Sequence, residues 1–428
     1  MEHRRVVITG IGTVAPGAKN SEEFLELLKE GRSGIKFSAE QEEYGFECQV
    51  AGKAESGIDL NDPILKYHEV QLGNDFIQLA CTAALEAWKS AGLDIPEPDS
   101  EVDYRTGVVI GGITPGTDVI VDKIAPLIKR KKVRRLGSQI VPNVMPSGAS
   151  AYLSSIFAAG AYSYSLNSAC STGTDSIING AASIWLGFAD RMIVGASEHY
   201  SPYNLAGFDS MRLMNKQWNH EPERASRPLS NTAHGFVPGS GAGILILEAH
   251  DVAIARGAKI YGEIIGSAVN CGAQRGGGTM TYPNKDGVIR ALNTALGYSQ
   301  LTPSDIDYIN GHLSGTVADV LEISNWRDVL KLGPGKFPPI NSTKALIGHC
   351  LGAAGALEFN AMVLQVENNF VHQALNTEDI HPEIEGMIGR EAVPMQRLDK
   401  EINIAAKASF GFGDVNSVII YKKWKENA

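Results

Sequence analysis

The sequence predicts an α/β protein with covered, parallel or mixed sheets, arranged in two halves. Short β-branched runs alternate with longer amphipathic or Ala-rich segments, the pattern of helices packed on sheets. Glycine is abundant, at 46 of 428 residues, as tight strand-to-helix turns and close backbone contacts require. The length fits about two to three domains.

In chain order, strands are expected at Arg5–Thr9, Arg105–Ile110, Ala161–Asn167, Arg191–Gly195, Gly243–Glu248, Ala258–Val269 and Asn403–Ser409, with a further short one at Tyr308. Helices are expected at Ser21–Glu30, Val70–Ala91, Gly173–Leu186, Val288–Leu296, Asp319–Leu330 and Gly355–Glu367. Ser21 with Glu22 and Glu23 makes a good helix start, because short polar and acidic side chains suit the free N–H groups there. The polar, small-residue stretch after Glu248 is the expected crossing between halves, which divides the chain into 1–255 and 256–428. Tyr200–Phe236 is long, irregular and rich in aromatic and polar residues, so it is expected to cover an active site or a subunit interface. No period of 20 to 50 residues is present, which excludes a solenoid.

Composition narrows the class. Hydrophobic residues make up 43% and charged residues 20%, and no run approaches the ~20 apolar residues of a membrane span, so disordered, coiled-coil and membrane-inserted chains are excluded. The net charge of −10 argues against a general nucleic-acid binder. An apolar strand begins almost at the N-terminus, so no signal or transit peptide is expected. Five scattered cysteines without a CxxC pair read as reduced thiols of a cytoplasmic protein.

Gly10-Ile-Gly12-Thr-Val-Ala15 follows a strand and partly matches a dinucleotide fingerprint, but no acidic residue closes a second strand about twenty positions on; a structural turn is the better reading. Ser168-Ala-Cys170-Ser-Thr-Gly173 places a cysteine between a strand and a helix. Unpaired N–H groups there lower a thiol's pKa and bind an oxyanion, so Cys170 reads either as a nucleophile or as a buried apolar cysteine. His312 sits in a small-residue turn after a strand, and His349 lies in a glycine-rich segment from Lys344 to Glu358. If the three converge, they suit thioester exchange and decarboxylation. A metal site lacks ligand spacing, and a Cys-His protease would not call for a second histidine.

Taken together, RRVVITGIGTVAPG, SACSTG, GASE, GFVPGSGAG, GHLSGT, INSTKALIGHCLGAAGALE and SFGFGDVN closely resemble the elongating β-ketoacyl-[acyl carrier protein] synthases of the thiolase superfamily, over nearly the whole chain. The resemblance implies a five-layered α-β-α-β-α fold of two similar halves and a homodimer. It implies a decarboxylating Claisen condensation with no resident cofactor and no metal, because phosphopantetheine arrives on the carrier protein. Cys170 would carry the acyl group, and His312 and His349 would promote loss of CO2 from the malonyl donor. Lys344 and Glu358 would form an ordering ion pair, and Phe412 would be a swinging gate whose N–H joins that of Cys170 in the oxyanion hole. Ser314 and Thr316 would hold the pantetheine arm, and Thr114 would lie near the end of the acyl pocket. Arg134 and Arg212 match carrier-docking positions, and the basic run Lys129–Arg135, which includes Arg135, would steer an acidic carrier; a solvated face is the alternative for the run. The carrier partner is an acidic acyl carrier protein.

Four positions depart from the family pattern: Leu313 in the histidine loop, Ser240 in place of an acid, His234 in place of an Asp, and Asp414-Val415 in the last turn. They suggest a specialised branch with an altered pantetheine tunnel. A degradative thiolase would need a second cysteine near the C-terminus, and Ala405–Asn416 has none.

Overall fold

The computed structural model describes residues 4–57, 63–68 and 74–425. Its frame is a ten-stranded sheet: β1 (Val6–Val14), β2 (Thr106–Gly111), β3 (Ser163–Tyr164), β4 (Arg191–Glu198), β5 (Gly241–Ala249), β6 (Gly262–Cys271), β7 (Tyr308–Asn310), β8 (Ile340–Asn341), β9 (Ile404–Gly411) and β10 (Val415–Lys423). The spatial order is β8-β7-β9-β10-β6-β1-β5-β4-β2-β3.

That order contains a duplication. The first five strands lie 3-2-4-5-1, and the next five repeat it as 8-7-9-10-6. Strand direction repeats as well: β5 and β10 run antiparallel to both neighbours, whereas the outer pairs are parallel. Three antiparallel pairs, Val6↔Ile264 to Ile8↔Gly262, join the two sets.

The helices of eight or more residues among the described residues are α1 (Ser21–Glu30), α2 (Asp75–Ser90), α3 (Gly148–Ile156), α4 (Thr172–Trp185), α5 (Pro202–Ser210), α6 (Lys285–Ser299), α7 (Ala318–Leu330) and α8 (Ala354–Asn368). Helices α2 and α3 pack on one set of strands, α6 on the other with α7 beside it, and α4 and α8 lie between the sets. The result is five layers, α-β-α-β-α. Central position explains composition: α8 is buried without interruption from Ala354 to Val366 and is apolar all round except for Glu358, Asn360 and Gln365. No helix among the described residues is long and apolar enough to cross a membrane.

Helix α1 has the expected bounds, but its cap is Asn20, whose side chain accepts the Glu23 N–H, one residue before Ser21. Residues 70–73 of the expected helix Val70–Ala91 lie outside the described residues; the rest forms α2. The expected strand Ala161–Asn167 shrinks to the two residues of β3, an edge strand paired only with β2. Strand β10 was not legible, because Val418 and Ile420 face one core cluster and Ile419 and Tyr421 another, so no alternation marks it. Gly10 and Gly12 are interior to β1, where a Cβ would lie 2.2 Å from the Ala87 carbonyl and 1.8 Å from that of Ala83. Both glycines let α2 lie against the sheet and form no phosphate-binding turn.

Candidate active site

The two central helices bring their N-termini together. A Cβ on Gly355 of α8 would meet Thr174 Oγ1 of α4 at 2.3 Å, so the helices touch where both begin. Residues just ahead of each N-terminus therefore face a common space.

Ahead of α4 the chain makes a left-handed elbow, with Ala169 at φ +52°. Such a conformation costs a non-glycine residue on the order of 1–3 kcal/mol, and local hydrogen bonds offset it. Asn167 Oδ1 accepts the Ala169 N–H (3.0 Å), while Thr172 Oγ1 accepts the Ser168 N–H (2.9 Å) and donates to the Ala169 carbonyl (2.7 Å). The elbow presents Cys170, 8% exposed. Gly411, at the end of β9, lies against it; a Cβ there would be 2.6 Å from the Ser168 carbonyl. The close approach lets the Phe412 N–H reach the Cys170 sulfur.

Ahead of α8, the buried His349 accepts the Leu351 N–H on Nδ1 at 3.1 Å. The other ring nitrogen, Nε2, therefore carries the proton and can donate to a substrate oxygen. His312 approaches from the loop after β7, with ring centroids 5.4 Å apart and planes at 80°. Two carboxylates at the start of α7 fix this loop. Glu322 accepts the N–H groups of His312 and Leu313, each at 2.8 Å, and Asp319 accepts those of Ser314 (2.9 Å) and Gly315 (3.1 Å). Ser314 and Thr316 hydroxyls lie 3.1 Å apart.

Beneath the histidines runs a buried chain of charges. Lys344 Nζ is 2.5 Å from Glu358 Oε1 and donates to the His312 carbonyl at 2.5 Å. Lys407 Nζ is 2.8 Å from Glu358 Oε2. Burial, then the positive charge of Lys344, holds both imidazoles well below their usual range, so both are neutral at pH 7. Burial pushes Glu322 up to about 7.

The thiol departs from the expectation of a lowered pKa. Burial pushes Cys170 up to about 11, against the opposing pull of Lys344 and the Phe412 N–H. The physical reason is visible at the elbow: the Ser171 and Thr172 N–H groups, expected to be free, are bonded to the Ser168 and Ala169 carbonyls. Cys170 therefore rests as a thiol.

Cys170, His312, His349, Phe412, Ser314 and Thr316 all line one cavity of about 210 Å³. Lys344 and Glu358 lie behind it. Phe208, Leu213 and Phe236 from the Tyr200–Phe236 segment line it too, although that segment includes the helix α5. Thr114 is not among the lining residues; its backbone N–H serves Glu198. Arg134, Arg135 and Arg212 are exposed and do not line the cavity, although Arg212 directly precedes the lining residue Leu213.

Three site residues escaped the sequence reading. Asp319 resembles an ordinary first-turn acid and Glu322 an ordinary acid of the same helix, so nothing marks them. Lys407 does leave a signal, as one lysine inside the apolar run Ile404-Ala-Ala-Lys-Ala. Of the four unusual positions, Leu313 is fully buried in the core instead of lining the cavity, His234 is exposed, and Ser240 Oγ accepts the Ala54 N–H. Asp414 is the consequential one: its carboxylate accepts the N–H groups of Gln274 (2.9 Å) and Asn284 (2.8 Å), fastening the loop whose Tyr282 and Pro283 line the cavity.

Residues 3–253 match the family model of the β-ketoacyl synthase N-terminal domain, and residues 261–378 that of the β-ketoacyl synthase C-terminal domain. The chain is 35% identical over 432 residues to a 3-oxoacyl-[acyl-carrier-protein] synthase 2 of Rhizobium meliloti, covering 98% of this chain and 99% of that one. It is 32% identical over 424 residues to the 3-oxoacyl-[acyl-carrier-protein] synthase 1 of Escherichia coli, covering 99% and 100%. Among solved structures, a β-ketoacyl synthase from Burkholderia phymatum superposes with a TM-score of 0.88 at 25% identity, covering 99% and 100%. A type II polyketide synthase acyl-carrier protein complexed with its ketosynthase gives 0.85 at 29% identity, again covering 99% and 100%.

Proposed function

The chain belongs to the β-ketoacyl synthase family, and from that premise we infer how its cavity works. It is an acyltransferase, a β-ketoacyl-[acyl carrier protein] synthase of fatty-acid or related biosynthesis, and its partner is acyl carrier protein. One observation carries the assignment of roles: Cys170, His312 and His349, from distant parts of the chain, open onto one cavity with the Phe412 N–H turned to the sulfur.

In the first half-reaction the Cys170 sulfur attacks the acyl thioester. The carbonyl oxygen gains negative charge and is met by the N–H groups of Cys170 and Phe412. The S–C bond to the carrier's pantetheine breaks, and the departing sulfur takes the thiol proton, so no resident base is required. In the second, the malonyl thioester carbonyl accepts hydrogen bonds from the neutral imidazoles of His349 and His312. CO2 leaves, and its bonding electrons form the enolate. Neutral rings suit this step, because an N–H donor stabilises the enolate oxygen without protonating the carbon nucleophile. That carbon then attacks the Cys170 thioester; a C–C bond forms, the C–S bond breaks, and the sulfur regains a proton from solvent. The 3-oxoacyl chain stays on the malonyl donor's carrier.

Lys344 and Glu358 order the floor, Ser314 and Thr316 receive the pantetheine arm, and Phe412 is the gate. Thr114 marks the acyl end. Arg134, Arg135 and Arg212 steer the carrier, which fits their exposure. The halves divide near residue 255. Phosphopantetheine is supplied by the carrier, and no further cofactor is required. The exposed apolar side chains Ile120, Ile128, Val133 and Val141 support a homodimer. The protein works in the cytoplasm.

The test is to incubate the protein with acyl carrier protein bearing a medium-length chain, record an intact mass, and map the adduct. An acyl-sized gain on Cys170, followed by 3-oxoacyl product with malonyl carrier protein, is expected; a gain on another cysteine overturns the mechanism.

A further inference from the structure

Lys407 is fully buried in the middle of β9, although a lysine in a strand interior would ordinarily reach water. Its ammonium is 2.8 Å from Glu358 Oε2, on the side opposite Lys344, and also donates to the Ala408 carbonyl. Glu322, which grips the His312 loop, lies within its electrostatic reach. Lys344, Glu358, Lys407 and Glu322 thus make two cations and two carboxyl groups under the histidine pair. Without Lys407, Glu358 would keep Lys344 and Glu322 would lose the cation that acts on it, leaving a carboxyl group uncompensated in a low-dielectric interior.

We propose that Lys407 is a positioning residue of the decarboxylation step: it braces Glu358 against Lys344 and offsets Glu322, so that His312 and His349 stay uncharged and aimed at the malonyl thioester. The proposal rests on the synthase reading. The titratable groups around the two rings are Lys344, Lys407, Glu322, Glu358, Asp319 and Cys170, with Glu198 beyond Cys170. Lys407 adds positive charge at both rings, in the same sense as Lys344. Its removal leaves the local balance more negative and draws protons onto the imidazoles.

The test compares wild type with Lys407→Met and Lys407→Arg across pH 6 to 8.5, following malonyl-carrier decarboxylation and Cys170 acylation separately. Lys407→Met is expected to lose about twofold more in decarboxylation, relative to wild type, at pH 6 than at pH 8.5, because losing one positive charge raises the imidazole titration while burial and Lys344 still hold it low. Cys170 acylation stays within about threefold, and Lys407→Arg, which keeps the charge, keeps the wild-type profile. An equal loss at both pH values, or no loss, overturns the proposal. Nitrogen-15 NMR of labelled histidines reads the same titration without turnover, so an inactive wild type would count against the synthase reading while the histidine titrations still decide Lys407. Where Lys407→Met does not fold, the double variant Lys407→Met/Glu358→Gln removes the pair together. Histidine titrations in it like those of wild type support the proposal, and raised ones refute it.

Discussion

Gly173 and Ala356 touch where the two central helices cross: a Cβ on Gly173 would lie 2.5 Å from the Ala356 amide nitrogen. With no side chain at that point, α4 and α8 approach closely enough for Cys170 and His349 to share one cavity. Gly173→Ala must push the helices apart. It is expected to cost about 1–3 kcal/mol, as overpacking of tight interiors does, and to depress condensation more than substrate binding. Urea unfolding together with kcat and KM would check it; a variant as stable and active as wild type would show that the contact is not tight.

Cys170→Ala removes the sulfur proposed to accept the acyl chain while keeping the elbow. The acyl adduct should disappear and condensation should fall by about a thousandfold or more, as for other nucleophile deletions. Intact mass and a product assay measure both, and residual condensation near wild-type rate would exclude Cys170 as the nucleophile.

Glu358 is the anion shared by Lys344 and Lys407. Glu358→Ala strands two buried ammonium groups and is expected to destabilise the fold by about 3–5 kcal/mol or more. Chemical denaturation at pH 7 gives the number, and a loss under about 1 kcal/mol would mean that water reaches the pair.

The buried histidines set the acid response. Burial holds His372 at about 4 and pushes His312 and His349 down as well. In the unfolded chain all three take up protons near pH 6.5, whereas the folded chain does so only at lower pH, so stability falls as pH drops below about 6.5. His372 alone contributes about 3 kcal/mol of this loss by pH 4. Glu198 and Glu322, each pushed to about 7, act oppositely: their contribution is full below about pH 4.5 and is lost as pH rises through 7. Unfolding free energies from pH 4 to 8, compared with a His372→Asn variant, separate the two trends. A variant with the same slope below pH 6.5 would remove His372 from the account.

Reversing charge in the exposed run, with Arg134→Glu and Arg135→Glu, should lower kcat/KM about tenfold for carrier-bound substrates at low salt and leave short pantetheine thioesters unaffected. Added salt should shrink the difference, since exposed charges are screened over about 10 Å at 0.1 M. Equal losses on both substrate types would assign the run a structural role.

Much of this molecule is local, and local features were readable. Cys170 announced itself by the small residues around a strand-to-helix junction, and His312 and His349 by their glycine-rich turns. Helices such as Ser21–Glu30 declared their bounds through an acidic first turn and apolar spacing, although the capping side chain is that of Asn20. Whatever depends on two distant segments meeting was closed to the sequence. Strand β10 is buried on both faces and lost its period; the cysteine's helix N–H groups were already taken by the elbow's own carbonyls; Leu313, conspicuous in its motif, turned into the core. Lys407, Glu322 and Asp319 matter because of what lies across from them, and a charge's partner through space is not written beside it in the chain. The sequence by itself determined the chemical groups and the elements that carry them. Only the tertiary structure decided the protonation of the thiol and the histidines, because burial and neighbouring charge are properties of the packed interior and not of any one segment.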